Sequence, residues 1–299
     1  MKKLKQGFSL IEVLAAVAII SIIASITIMN YQDSQKKAQQ AKIKTDWTIT
    51  EGKYIEKLIG KWSFDEGSGS TAFDDTDFRN NGTLNGSPVW KDSKDCINEK
   101  CLEFNGSSQY VLTSGVPSNF LSGSKARTLS AWIYRTNETG GTIIAINNSG
   151  SLQSFCFQIA SSGGVMYLFS DKVNASNNIV ISGSEIPSLN TWNYMVFTYD
   201  GINAWKYYLN GVLKKSGNFA VAIDTVPNNI SIGRRMDAFS AYWPGKIDEV
   251  SIYSEAITFS KIKNDYVVGL EKLYQKGAIS ESNYISKISE LQKDNLAEK

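Results

Sequence analysis

The chain has 299 residues, of which 31 are lysine or arginine and 29 are aspartate or glutamate. This near balance of charge argues against an extended nucleic-acid-binding surface, and no nucleic-acid partner is expected. The sequence contains no histidine. That excludes Ser-His-Asp and Cys-His nucleophilic catalysis and every histidine-ligated metal site.

The first predicted element is an apolar run of 22 residues from Phe8 to Met29, in which Glu12 is the only charged residue. As a helix it would be roughly 33 Å long, enough to cross the hydrocarbon core of a bilayer. Lys2, Lys3 and Lys5 precede it, so the positive-inside rule keeps the N-terminus in the cytoplasm and places the remaining chain outside. A secretory signal peptide is the alternative, but the run offers only a poor small-residue cleavage site.

Glu12 needs a partner, because a carboxylate inside an apolar run costs about 3 kcal/mol in lipid. The stretch Gly7-Phe8-Ser9-Leu10-Ile11-Glu12-Val13-Leu14, after a short basic leader, resembles the type IV prepilin processing site. The resemblance implies that a prepilin peptidase cuts between Gly7 and Phe8 and that the new amine of Phe8 is methylated. It also implies that Glu12 faces this amine on a neighbouring subunit, where pairing would offset the burial of both charges.

The helix is predicted to extend from Phe8 to about Ile59, because apolar residues continue at helical spacing and Gly60 is a natural stop. Many type IVa pilins have a proline partway along this helix, where it unwinds in the filament. No proline precedes Pro88 here, so unwinding would have to rely on three hydroxyl residues, namely Ser21, Ser25 and Thr27.

From Lys61 to about Tyr253 the hydrophobic pattern changes from helical to alternating, which is typical of β-strands. Many short strands without intervening helices predict an antiparallel β-sandwich or jelly roll. Asn210-Gly211 is a strong turn signal, since this dipeptide favours a two-residue hairpin. The predicted strands include residues 61–64, 101–104, 109–112, 128–134, 142–146, 165–169, 192–198 and 229–232.

This region resembles the laminin-G-like, concanavalin-type jelly roll. The resemblance is carried by Trp62–Gly69, Asn80–Leu84, Leu102–Val111, Trp192–Asp200, Leu209–Gly211 and Gly245–Tyr253. Members of that family serve as carbohydrate-binding, protein-binding or purely structural modules, so the fold alone does not select among these roles. The resemblance therefore allows an extracellular glycan or protein ligand, and the alternative is a purely structural role.

Cys96 and Cys101 are spaced closely enough to close a small disulfide loop in an oxidising exterior. Zinc binding by the pair is the alternative, although two further ligands are missing. Cys156 lies within an alternating strand pattern and is expected to be a buried, unreactive thiol.

A calcium site is predicted at Asp248 and Asp65. Alternation places Asp248 on the same, buried face as Val250 and Ile252, so its carboxylate needs a cation or hydrogen bonds. The resemblance implies a structural calcium held by Asp248 with Asp65 and neighbouring carbonyl oxygens, which are ligands that calcium prefers. The alternative is that Asp248 accepts backbone N–H bonds and holds no metal.

Aromatic residues near turns raise the question of sugar stacking, although most tryptophans of a jelly roll belong to its core. The candidates are Trp205, Tyr207, Tyr242 and Trp243. A glycan hydrolase would require two facing carboxylates, and no evident pair forms among Glu103, Asp171, Asp200 and Glu249. No catalytic activity is expected.

After Tyr253 the pattern becomes helical again and predicts a helical hairpin that turns at Lys276-Gly277. This hairpin either braces the domain or contacts another subunit. The predicted domains are a cleaved leader (1–7), a filament-core helix (8–60), a jelly-roll headgroup (61–255) and the helical hairpin (256–299). The fold class is α+β.

The expected function is a structural subunit of an extracellular type IV pilus-like filament, with a lectin-like headgroup used for adhesion. The alternative is a minor pilin or pseudopilin of a type II secretion or DNA-uptake system. Either protein would lie in the cytoplasmic membrane before assembly and would associate with copies of itself, prepilin peptidase and the assembly machinery.

Overall fold

The computed structural model describes residues 10–147, 154–159, 165–167, 179–220, 223–236 and 241–297. It divides into two compact units, residues 1–49 and 50–299. In the described part the helices are α1 (Leu10–Tyr54), α2 (Ser118–Leu121), α3 (Phe259–Gln275) and α4 (Glu281–Ala297).

The first unit contains most of α1, whose apolar segment Leu10–Tyr31 is long and apolar enough to cross a membrane and is not buried. The hydroxyls of Ser21, Ser25 and Thr27 each donate, at 2.8 Å, to the carbonyl oxygen four residues earlier. These polar groups are therefore satisfied inside the helix. The helix runs without interruption through all three positions.

Helix α1 ends at Tyr54, about one turn before the predicted end near Ile59. Leu58–Trp62 forms β1 instead, which pairs antiparallel with the last strand of the sandwich. Ile59 and Trp62 are buried in the sandwich core. The helix stops early because sheet pairing satisfies the backbone of these residues while burying their side chains. Gly60 therefore lies within a strand.

The second unit contains sixteen described strands in chain order. They are β1 (Leu58–Trp62), β2 (Thr71–Ala72), β3 (Gly82–Asn85), β4 (Val89–Lys91), β5 (Cys101–Asn105), β6 (Tyr110–Thr113), β7 (Arg127–Arg135), β8 (Gly141–Asn147), β9 (Phe155–Ile159), β10 (Val165–Tyr167), β11 (Ile179–Val180), β12 (Trp192–Tyr199), β13 (Ala204–Leu209), β14 (Val212–Asn218), β15 (Asn229–Ile232) and β16 (Pro244–Tyr253). Most predicted strands are confirmed to within one or two residues.

The strands form two antiparallel sheets that pack as a sandwich, as predicted. The first sheet has the order β14-β13-β12-β7-β16-β5-β4, and β1 also pairs with β16. The second has the order β11-β10-β9-β8-β15-β6-β3-β2. Alternate side chains of both sheets meet in one apolar core that includes Trp62, Phe104, Phe157, Phe197 and Trp243.

The first sheet has a second covered face, which we call its outer face because it points away from the second sheet. Trp132 lies on this face between two tyrosine rings, with centroids 5.3 Å from Tyr194 and 5.5 Å from Tyr266 of α3. Leu270 and Leu273 of α3 are also buried. The C-terminal helices therefore brace the domain by packing on the sandwich, which is the first of the two predicted alternatives.

The predicted hairpin between β13 and β14 is confirmed. Asn210 and Gly211 both have positive φ angles, 55° and 76°, as a type I′ turn requires. Leu209 pairs with Val212 across this two-residue loop.

Replacing Gly269 by alanine tests how closely α3 approaches the sheet. A Cβ at Gly269 would collide with the indole of Trp132, which cannot move aside because it lies between two tyrosine rings. We expect G269A to destabilise the second unit by about 1–3 kcal/mol despite the higher helix propensity of alanine. The measurement is the thermal midpoint Tm of the purified chain, with the exposed Gln275→Ala of the same helix as control. An unchanged Tm for G269A would contradict this packing.

Candidate functional site

Glu12 lies in the first turn of α1, at an exposed position of the apolar segment. Gly7 and Phe8, the predicted cleavage and methylation residues, lie outside the described residues. The role of this trio in processing and assembly therefore stays a prediction.

The predicted disulfide is present: Cys96 and Cys101 are bonded and both are buried. They close a loop of six residues that follows a short 3₁₀ turn at Ser93–Asp95. We call residues 93–101 the disulfide loop. Cys156 lies outside the disulfide and is buried, as expected.

The Asp65 carboxylate accepts hydrogen bonds from backbone N–H groups of the disulfide loop. Its Oδ1 accepts hydrogen bonds from the N–H groups of Glu99 and Lys100, each at 2.9 Å. Its Oδ2 accepts a bond from the Asn98 side-chain amide at 2.5 Å. Both carboxylate oxygens of Asp65 therefore hold the loop directly.

Asp248 binds the next part of the same loop and is completely buried. Its Oδ2 accepts bonds from the N–H groups of Ile97 at 2.7 Å and Asn98 at 3.3 Å, and its Oδ1 accepts one from Glu249 at 2.8 Å. Burial raises the pKa of the Asp248 carboxyl well above its ordinary value, while the N–H groups of Ile97 and Asn98 act in the opposite direction.

The sheet face predicted for Asp248 is wrong, although the predicted burial of its side chain is confirmed. Glu249 has a positive φ of 47° and the pairing of β16 with β7 shifts register there, which is the signature of a β-bulge. Val250 and Ile252 face the sandwich core. Asp248 pairs with Trp132 and lies with it on the outer face.

Lys276, at the end of α3, lies beside the disulfide loop, on the side toward which several of its backbone carbonyl oxygens point. Its Nζ donates to the backbone oxygens of Ser93 at 3.2 Å, Cys96 at 3.4 Å and Ile97 at 3.1 Å, and also to that of Asn98. Partial burial lowers the pKa of this ammonium group, whereas Asp248 and Asp65 raise it.

The sulfurs of Cys96 and Cys101 lie within 4.8 Å of an Asp248 oxygen. A metal would require thiolates, and the disulfide removes them, so the zinc alternative for this cysteine pair is excluded. Calcium binding by Asp65 and Asp248 stays a prediction. The bonds around Asp248 have the geometry of the stated alternative, in which backbone N–H groups satisfy the carboxylate.

A cavity of about 230 Å³ lies between the outer face of the first sheet and the helical hairpin. Its walls combine aromatic rings with charged groups. The rings are those of Trp132, Tyr134, Trp192 and Tyr266, and the charged side chains are Lys94, Lys246, Lys287 and Asp95. Three ammonium groups against one carboxylate make the cavity electropositive.

The wall of the cavity is organised around Asp95. The indole N–H of Trp192 and the Nζ of Lys246 both donate to its backbone oxygen at 3.2 Å. Lys246 is also 3.7 Å from the Asp95 carboxylate and 4.5 Å from the ring centroid of Tyr134. These contacts hold the Lys246 ammonium group over the Tyr134 ring and bind the Trp192 indole to the same carbonyl oxygen.

The comparisons with known proteins agree with this architecture. Residues 105–263, just over half of the chain, match the family described as the concanavalin A-like lectin/glucanases superfamily. The chain belongs to this superfamily. Residues 2–28 match the prokaryotic N-terminal methylation motif, so this lectin-like chain also carries a prepilin-type N-terminus. No curated protein matches the chain.

Solved structures share the fold at low sequence identity. The ligand binding domain of botulinum neurotoxin serotype D in complex with N-acetylneuraminic acid is 15% identical, with a TM-score of 0.54, and the match covers 73% of this chain and 52% of that one. The binding domain of Paraclostridial Mosquitocidal Protein 1 is 14% identical, with a TM-score of 0.54 and coverages of 72% and 53%. The chain spans about half the length of these toxin domains.

A third similar structure is domain 4 of a GH43 extracellular arabinanase from Geobacillus stearothermophilus, in complex with arabinotriose. It is 22% identical, with a TM-score of 0.49, and the match covers 70% of this chain and 98% of that domain.

The aromatic residues singled out from the sequence are not those of the cavity. Trp205, Tyr207 and Trp243 are buried in the sandwich core. Tyr242 is half-buried, and the Arg234 guanidinium lies 4.9 Å from its ring centroid. The cavity residues could have been found from strand alternation. In Trp132-Ile133-Tyr134 the side chain of Ile133 points into the core, so the two large aromatic rings lie on the opposite face of the sheet.

Removing the disulfide tests its contribution to the loop. In the unfolded chain a bridge of this loop length restricts conformations by about 2 kcal/mol, so the double variant C96S/C101S is expected to have a lower Tm. Dithiothreitol should lower the Tm of the wild-type chain and leave that of the double variant unchanged. The control Cys156→Ser should keep the sensitivity to dithiothreitol. A wild-type Tm that does not respond to reduction would contradict a stabilising bridge.

Proposed function

We propose that this protein is a subunit of an extracellular type IV pilus-like filament, made as a prepilin and cleaved between Gly7 and Phe8. The observation that carries the proposal is the methylation motif at residues 2–28, placed directly on the apolar segment Leu10–Tyr31. A lectin-like domain follows in the same chain. The assembly element and a module suited to display are thus joined in one protein.

The exposed apolar surface of α1 supports self-assembly. Leu10 is 79% exposed, Ile20 64% and Met29 66%, and so long an apolar surface requires lipid or protein around it. Lipid would cover it before assembly in the cytoplasmic membrane, and the same segment of neighbouring subunits would cover it in the filament. Prepilin peptidase and the pilus assembly machinery are the partners that this route requires.

Glu12 is the residue that sets the register between subunits in this proposal. Its carboxylate would face the methylated amine of Phe8 on a neighbour, converting two costly buried charges into one pair. Glu12 is the only charged residue of the run, and the hydroxyls of Ser21, Ser25 and Thr27 are satisfied within the helix. The position of this charge therefore selects one alignment of neighbouring helices.

Glu12→Ala tests the assembly role. We expect E12A to be cleaved between Gly7 and Phe8 but to form few or no filaments, because the amine of Phe8 would lose its partner. Electron microscopy measures assembly, and the mass of the mature N-terminus measures processing. Ser21→Ala is the control and should assemble normally.

Three results would contradict the assembly proposal. E12A filaments as abundant as wild type would refute the role of Glu12. An absence of filaments from the purified wild-type chain would favour the alternative of a minor pilin or pseudopilin present in few copies. An intact Met1 would leave a membrane-anchored, lectin-like protein.

We propose that the headgroup is a binding module without catalytic activity. The carboxylates considered for a hydrolase that lie in the described part are engaged elsewhere: Glu103 pairs with Lys91 at 3.3 Å, and Glu249 pairs with Lys272 at 3.3 Å. Asp200 accepts backbone N–H bonds within a turn. These contacts support a role in binding rather than in glycan hydrolysis.

The cavity beneath the helical hairpin is the candidate ligand site for adhesion. Its volume is below the roughly 300 Å³ of pockets that hold drug-sized molecules, which suits a single sugar ring. Aromatic rings can stack on sugar faces, and the excess of ammonium groups favours an acidic sugar. The complex of the serotype D domain with N-acetylneuraminic acid is an example of this fold with an acidic sugar.

A panel of labelled neutral and acidic saccharides, applied to the full-length chain in detergent, tests the site. We expect acidic sugars to be retained and Lys287→Ala to weaken binding about tenfold, the loss of one charge-assisted hydrogen bond. Lys206→Ala removes an exposed lysine outside the cavity and should have no effect. Binding that is unchanged by K287A would move the site elsewhere, and release of smaller sugars would contradict the absence of catalysis.

A further inference from the structure

Three successive peptide groups of the disulfide loop are each hydrogen-bonded at both ends. In the group joining Cys96 to Ile97, the carbonyl accepts from Lys276 Nζ and the N–H donates to Asp248. The group joining Ile97 to Asn98 repeats this pattern with the same two partners. In the group joining Asn98 to Glu99, the carbonyl accepts from Lys276 and the N–H donates to Asp65.

The charges on the two sides of these peptide groups are opposite. A trans peptide points its C=O and N–H in opposite directions, so the ammonium group of Lys276 lies on one side of the loop and the carboxylates of Asp248 and Asp65 lie on the other. Each peptide dipole is thereby aligned between a cation and an anion. Hydrogen bonds aligned in this way polarise and strengthen one another.

The carbonyl side of the loop has the form of a cation site. Four backbone oxygens, the fourth being that of Ser93, converge on the single Nζ atom of Lys276. An ammonium group has three N–H donors and can share them among these oxygens. The lysine is at the end of α3, where the partial negative charge of the helix dipole also favours a cation.

A calcium ion held between Asp65 and Asp248 does not fit this arrangement. Calcium takes six to eight oxygen ligands and usually includes carboxylates among them. Here the peptide groups themselves separate the convergent carbonyl oxygens from both carboxylates. All four carboxylate oxygens already accept hydrogen bonds from N–H groups, so neither side of the loop offers a complete calcium shell.

We propose that the ammonium group of Lys276 is the resident cation of this site and takes the place of a metal ion. It links the C-terminal hairpin to the disulfide loop, which lies about 180 residues earlier in the chain. The second unit is therefore held together at this point by one of its own side chains, and this link is independent of calcium. This inference does not depend on the filament role.

Thermal melting of the full-length chain in detergent tests the proposal, first without any substitution. The wild-type Tm should be the same in EDTA and in millimolar calcium chloride. A wild-type Tm that rises with calcium or falls with EDTA would overturn the proposal. This measurement holds whether or not a variant folds.

The second arm compares Lys276→Met with Lys272→Met, which removes an equal charge one turn earlier in α3. Lys272 forms a part-exposed pair with Glu249, and such pairs contribute little. We expect K276M to lower the Tm by at least about 4 °C, because the polarised peptide groups lose their cation, and K272M to lower it less. Equal Tm values for K276M and wild type would overturn the proposal.

Discussion

The rest of the second unit depends on strand β16. It pairs with β7 along most of its length, with β5 through its first half and with β1 through its second half. Regular alternation would place either Asp248 in the apolar core or Val250 and Ile252 outside it. The bulge at Glu249 avoids both costs. It keeps the apolar residues inside and turns the carboxylate toward the disulfide loop.

Much of this fold could be predicted from sequence because its signals are local. The apolar helix, the alternating strands and the Asn210-Gly211 turn each depend on neighbouring residues, and the described part of the structure has all three. The bulge could not be predicted in this way. A single positive φ at Glu249 reverses the alternation on which the expected face of Asp248 rested.

The candidate sites show the same limit. Asp65 and Asp248 were singled out together, and the structure does bring them to one loop, but what they hold is a set of peptide N–H groups. Lys276 was visible only as the last residue before a helix-ending glycine. Its role depends on contacts with residues far away in sequence, and the hydrophobic periodicity of a sequence does not reveal such contacts. The cavity likewise exists only where the hairpin packs on the outer face.

The late position of β16 has a consequence for export. The first sheet needs residues 244–253 at its centre, and the disulfide loop needs Lys276, so neither can be completed while the C-terminal fifth of the chain is missing. On the proposed route across the cytoplasmic membrane, the headgroup would stay unfolded until nearly all of it had emerged. Pairings of this long range also form slowly. In that proposal, transport would finish before a folded domain could obstruct it.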